Sequence, residues 1–117
     1  MTFHIFEHSE RQGPVEGSDP ITVHVQTCTS AKVGIDDGGW SDDLAQAGRR
    51  FDRLALDLST VGYLNSAAIS ALIRLNQLRK PRICGVQPDI REKFRILRLD
   101  RVFKLYTDVQ TAVDEKW

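Results

Sequence analysis

Residues 56–72 read LDLSTVGYLNSAAISAL, and within this stretch the hydrophobic period changes from two to about 3.6 residues. Leucines at positions 54, 56 and 58 alternate with smaller or polar residues, which is typical of a strand with one buried face. From Asn65 onward, Ile69 and Leu72 follow at helical spacing, and Pro81 cannot continue a helix. The stretch therefore predicts a buried strand, a turn, and a helix that begins at Asn65 or Ser66.

Outside this stretch, alternating apolar residues predict strands at 3–8, 21–27, 82–86 and 102–106, while capping patterns predict helices starting near Ser41, Pro88 and Asp108. Residues 9–20 contain Gly13-Pro14 and Asp19-Pro20, which predict a long polar connection between the first two strands of a hairpin. Helix and strand then alternate, which favours parallel pairing with right-handed crossovers. The predicted fold class is α/β, with a mixed sheet of about five strands, helices packed against it and the later strands parallel.

Size and composition indicate one globular domain over residues 1–117. The chain has 41% hydrophobic and 27% charged residues, and its 16 basic and 16 acidic residues cancel. A net charge of zero supplies no overall basic field for nucleic acid or an anionic membrane. No apolar stretch reaches the length of a membrane span, and the N-terminus lacks a signal-peptide pattern, so we expect a cytoplasmic protein. Cys28 and Cys84 form no CxxC pair and are expected to be buried thiols.

The sequence contains no GxGxxG, phosphate-cradling GxxxxGK[ST], HExxH or GxSxG motif, so neither an enzyme nor a cofactor is expected. His4, His8 and His24 could be drawn together as a zinc site. No carboxylate or cysteine at ligand spacing supports that site, which favours solvent-facing histidines.

Two acidic pairs, at 36–37 and 42–43, could bind a hard cation. They lack the alternating spacing and terminal Glu of a calcium loop, and a loop followed by a helix capped by Ser41 explains them better. No metal site is predicted.

The junction at Asn65 and Ser66 has two readings. A helix N-terminus offers unpaired backbone N–H groups and a positive dipole end, which would hold a phosphate on Ser66. Alternatively, either residue simply caps the helix, and the spacing alone favours this second reading.

The segment 56–72 resembles the signature of the STAS domain, the fold of bacterial anti-sigma-factor antagonists. Two later segments, ICGVQP at 83–88 and LRLDRVFKLY at 97–106, resemble the strand-plus-Pro turn and the Leu-x-Leu-Asp-x-x-Phe ending of that family. The resemblance is strongest over 53–113, whereas residues 1–50 agree only in their strand–strand–helix outline.

The resemblance implies a non-catalytic regulatory module that binds a protein partner in bacterial signal transduction and transcription regulation. The family pattern at the helix start is Asp-Ser-Ser-Gly, where the first Ser is phosphorylated by an anti-sigma-type kinase. Asn65, Ser66, Ala67 and Ala68 stand at those four positions. The implied phosphoacceptor is therefore Ser66, and the implied partner-binding residues are Asn65, Ala67, Ala68 and Ile69. Asn65 removes a carboxylate that the kinase could read.

Two further functions remain open at this point. One is a constitutive structural or scaffold module, either a homodimer or part of a sensory assembly, in which Ser66 has no switching role. The other is a small-ligand site for a nucleotide or lipid, which no glycine-rich phosphate loop supports. Trp40 and Trp117 are candidate contact residues, although packing at the edge of the core explains them better.

Overall fold

The structure, a computed structural model, describes residues 3–33 and 38–117. A short 3₁₀ turn at Leu99–Arg101 precedes the last strand. Within the described ranges the elements follow in the order β1 (Phe6–Glu16), β2 (Asp19–Cys28), β3 (Lys32–Val33), α1 (Trp40–Arg50), β4 (Leu54–Asp57), β5 (Tyr63–Leu64), α2 (Ser66–Leu78), β6 (Arg82–Cys84), α3 (Pro88–Ile96), β7 (Lys104–Tyr106) and α4 (Val109–Asp114).

The main sheet has five strands in the order β1-β2-β4-β6-β7. The pair β1–β2 is antiparallel, and the pairs β2–β4, β4–β6 and β6–β7 are parallel. β3 and β5 form a separate two-stranded parallel sheet. The predicted mixed sheet with parallel later strands is therefore confirmed.

Helices cover both faces of the main sheet. Leu54, Leu56 and Leu58 lie in the larger core with residues of α1, α2 and α3, whereas Ala55 lies in a smaller core with residues of α4. This is the division that the leucine alternation predicts. Both thiols are free and buried, as predicted, and none of the helices in the described ranges is long and apolar enough to cross a membrane.

The long loop predicted at 9–20 is wrong. β1 continues to Glu16, β2 begins at Asp19, and Gly17 takes φ +71° at the first position of a two-residue loop, where a hairpin favours a positive φ. Gly13 and Pro14 fall where the pairing register shifts, between Gln12 and Val15. An irregular position on an edge strand tolerates a proline. Its missing N–H costs no hydrogen bond on the outer side of the strand, where no neighbouring strand pairs.

The start of α1 also differs from the prediction. Gly39, at φ +94°, occupies the N-cap without a side-chain hydrogen bond, so Ser41 is not the cap. Asp43 is buried, and its carboxylate accepts the backbone N–H groups of His4, Ile5 and Phe6 at 2.8–3.2 Å. Asp43 therefore anchors the N-terminal segment and does not face a cation site. The acidic pair at 36–37 lies outside the described residues.

The three histidines do not come together as one group. The ring Nδ1 of His4 lies 2.9 Å from Asp43 Oδ1. His8 Nε2 lies 3.0 Å from His24 Nδ1, and both of these rings stack on Phe51. A grouping of all three histidines is therefore excluded, while His8 and His24 contact each other.

A buried arginine fixes the C-terminal segment to the smaller core. Arg82 Nη1 donates to the carbonyls of Ala112 and Glu115, each at 2.8 Å, and Nη2 donates to that of Lys116. The guanidinium carbon lies 3.7 Å from the ring centroid of Trp117. Trp117 is thus packed against the core edge.

Candidate functional site at the start of α2

Asn65 caps α2. Its backbone is extended, with φ −88° and ψ 178°, and its side-chain Oδ1 accepts the backbone N–H of Ala68 at 2.9 Å. Ser66 is the first residue inside the helix. Of the two caps that the sequence leaves open, the structure selects Asn65.

The helix start is held from two sides. The N–H of Asn65 donates to the carbonyl of Val33 at 3.2 Å, which continues the pairing of β5 with β3. From α1, the indole Nε1 of the fully buried Trp40 donates to the carbonyl of Ala68 at 3.0 Å. These contacts place the first turn of α2 at a fixed position, and they assign Trp40 to the core.

The five residues that the resemblance singles out divide by exposure. Ser66 and Ala67 are exposed and Asn65 is half-buried. Ala68 and Ile69 are buried in the larger core, with 3% and 4% of their surface exposed. The accessible part of the candidate site therefore consists of Asn65, Ser66 and Ala67, while Ala68 and Ile69 fasten it to the core.

Two neighbouring residues extend this surface beyond the residues that sequence reasoning found. Tyr63, in β5, is 46% exposed. Lys93, in α3, donates from Nζ to the carbonyl of Leu64 at 2.7 Å and lies 5.8 Å from the Tyr63 ring centroid. In the two-residue strand β5, Tyr63 is exposed and Leu64 is buried, so this alternation could have identified Tyr63 as a surface residue. Lys93 is 28 positions away in sequence from Asn65, and only the packing of α3 beside β5 brings it near.

The electrostatic environment favours an anion at Ser66. The positive end of the helix dipole lies at the first turn, and that turn contains no acidic residue. Lys93 adds a positive charge beside β5. An exposed hydroxyl in such a setting is suited to carry a phosphate without destabilising the helix.

The fold and this surface define an α/β module in which an antiparallel hairpin leads into a parallel sheet and a capped helix presents an exposed serine. A family model of the STAS domain matches residues 8–112. The protein therefore belongs to the STAS domain family.

Solved structures agree with this assignment. An anti-sigma-factor antagonist (STAS) domain protein from Planctomyces limnophilus has a TM-score of 0.71 and 18% sequence identity, with 92% of this chain and 93% of that chain covered. A Thermotoga maritima protein assigned as an anti-sigma factor antagonist has a TM-score of 0.62 and 15% identity over 75% of this chain and 83% of its own. At these identities the similarity establishes the fold. A comparison with curated proteins gave no match.

Proposed function

We propose that this STAS protein is a non-catalytic regulatory module of the bacterial cytoplasm that binds a protein partner through the start of α2. Phosphorylation of Ser66 then controls the binding. The observation that carries the proposal is the exposed Ser66 at the first position of a helix capped by its neighbour, in a chain of the STAS family.

The position of Ser66 suits a modification that changes the surface and leaves the fold intact. The hydrogen bond to the N–H of Ala68 comes from Asn65, so the Ser66 hydroxyl is not the cap. A phosphate adds about −1.5 to −2 charges at neutral pH, and the helix dipole favours that charge at this end. The switch would act by electrostatic repulsion and desolvation at a docked partner and would not unfold α2.

The composition of the surface supports docking of a protein. Tyr63 offers a half-exposed aromatic ring of the kind that anchors protein interfaces. Ala67 is exposed in the first turn of α2, and its small side chain permits close approach of a partner backbone. We assign the contacts to Asn65, Ser66, Ala67 and Tyr63, because the buried side chains of Ala68 and Ile69 support the surface from beneath.

An anti-sigma-type kinase is the partner that family membership favours. Such a kinase must accept Asn65 in place of the family's aspartate. Asn and Asp cap helices about equally well, so the exchange keeps the local structure and removes one negative charge. The competing proposal is a constitutive scaffold or homodimer in which Ser66 stays unmodified.

The proposal is tested by affinity capture from the source cells, with quantitative mass spectrometry of the retained proteins. The bait is the wild-type chain, Ser66→Glu or Ser70→Glu. Ser70 is the matched control because it is exposed on the same helix, one turn further on. We expect at least tenfold less of one specific partner on Ser66→Glu, with wild-type amounts on Ser70→Glu. Equal retention by all three baits would contradict the switch and favour the constitutive module.

A further inference from the structure

Two histidines and a glutamate converge on one face of the β1–β2 hairpin. His8 and Glu10 are two residues apart in β1, so their side chains point to the same face. His24 lies directly opposite Glu10 in the register of the pair. The sequence alone predicts a loop at residues 9–20, and only the structure places Glu10 in a strand with His8.

The distances between the three side chains match the needs of a small metal ion. His8 Nε2 and His24 Nδ1 are 3.0 Å apart, and His24 Nδ1 lies 3.8 Å from Glu10 Oε1. All three ligand atoms lie within 4.8 Å of one another. Around a tetrahedral ion with bonds of 2.0–2.1 Å, neighbouring ligand atoms are about 3.3 Å apart. Small side-chain rotations therefore suffice, and Glu10 is exposed enough to make them.

Stacking on Phe51 orients both imidazole planes. The buried ring of Phe51 stacks on His24 at a centroid distance of 4.1 Å and on His8 at 4.8 Å, with interplanar angles of 13° and 5°. Because the rings are already oriented, their side chains lose less conformational entropy when they bind a metal ion.

We propose that His8, Glu10 and His24 form a binding site for a divalent transition metal ion of the zinc class. Two imidazoles and one carboxylate suit Zn²⁺, Co²⁺ or Ni²⁺ better than Mg²⁺ or Ca²⁺, which prefer sets of oxygen ligands. Three protein ligands leave a fourth position for water or an added ligand. Its three ligands lie in β1 and β2, and none of them belongs to the surface at Ser66.

The test is titration of the untagged 117-residue chain with Zn²⁺, monitored by calorimetry, with Co²⁺ absorption as a second readout of coordination. We expect one equivalent of Zn²⁺ to bind and Co²⁺ to give the visible bands of a four-coordinate site. His8→Gln and Glu10→Gln should each weaken Zn²⁺ binding at least tenfold. His4→Gln is the control, because His4 contacts Asp43 and is not in the cluster, and it should bind as the wild type does.

His8→Gln and Glu10→Gln alter exposed residues, so both variants should fold and keep the wild-type Tm in metal-free buffer. Absence of Zn²⁺ binding to the wild type would overturn the proposal. So would an affinity that His8→Gln and Glu10→Gln leave unchanged.

Discussion

Substitution of Asn65 tests the structure of the candidate site, because it separates the helix cap from the proposed phosphoacceptor. Asn65→Ala removes the hydrogen bond from Oδ1 to the N–H of Ala68, which is 2.9 Å long. Loss of such a cap costs about 1 kcal/mol, within a range of about 0.5–2. Ser66→Ala, in contrast, removes an exposed hydroxyl that is not the cap, and should change the free energy of unfolding by less than about 0.5 kcal/mol.

The expected change in Tm follows from the size of the chain. An unfolding entropy of about 2.1 cal/mol/K per residue gives about 0.25 kcal/mol/K for 117 residues. Asn65→Ala should therefore lower the Tm by about 4 °C, and Ser66→Ala by less than about 2 °C. Asn65→Asp keeps the cap and adds a negative charge at the positive end of the helix dipole. Its Tm should therefore lie between that of the wild type and about 4 °C above it.

Differential scanning calorimetry of the purified, unphosphorylated variants measures all three shifts. The reasoning is refuted if Ser66→Ala loses about 4 °C while Asn65→Ala keeps the wild-type Tm. Ser66 would then be the cap, and Ser66→Ala could not serve as a variant that lacks only the phosphate.

Three further predictions concern groups that the fold buries. Arg82→Ala should lower the free energy of unfolding, measured with urea, by about 3–5 kcal/mol. Three carbonyls lose a charged donor, and hydrogen bonds to charged groups contribute about 1.5–3 kcal/mol each without adding fully. A loss under about 1 kcal/mol would contradict this. Asp43→Ala should lower the free energy of unfolding by about 2–4 kcal/mol and speed amide hydrogen exchange at residues 4–6. The control Asp42→Ala replaces an exposed neighbour and should change the free energy of unfolding by less than about 0.5 kcal/mol. Burial raises the pKa of Cys84 to about 12 and also raises the pKa of Cys28, so iodoacetamide at neutral pH should label neither thiol until denaturant is added. Stoichiometric labelling of the native protein would show that a thiol is accessible.

The central part of the fold was predictable because its hydrophobic period is strong. Leu54, Leu56 and Leu58 fill one face of a buried strand, and Ile69 and Leu72 follow at helical spacing, so each pattern has one interpretation. The start of α2 was predictable to within one residue. Which of Asn65 and Ser66 caps it depends on backbone angles that both residue types accept.

The edge of the sheet was less predictable, for a physical reason. Most side chains of β1 face solvent, so no apolar alternation marks residues 9–16 as a strand. Gly13 and Pro14 looked like loop residues, although a shift in register on an edge strand accommodates them. Without a predicted strand at residues 9–16, the sequence does not place Glu10 beside His8 and His24.

Buried polar groups were the other gap. Asp43 and Arg82 are charged residues that a sequence pattern assigns to the surface, yet both bind backbone groups of segments distant in sequence. Their roles depend on where the N-terminal segment and the C-terminal segment pack, and no local pattern encodes that placement.

Phosphopeptide analysis with intact-mass measurement of the protein recovered from its own cells tests the central claim most directly, with Ser66→Ala and Ser70→Ala expressed in the same cells as controls. The account predicts one added phosphate that maps to Ser66, persists in Ser70→Ala and disappears in Ser66→Ala. An unmodified Ser66 under every growth condition, or a phosphate that remains in Ser66→Ala, would contradict it.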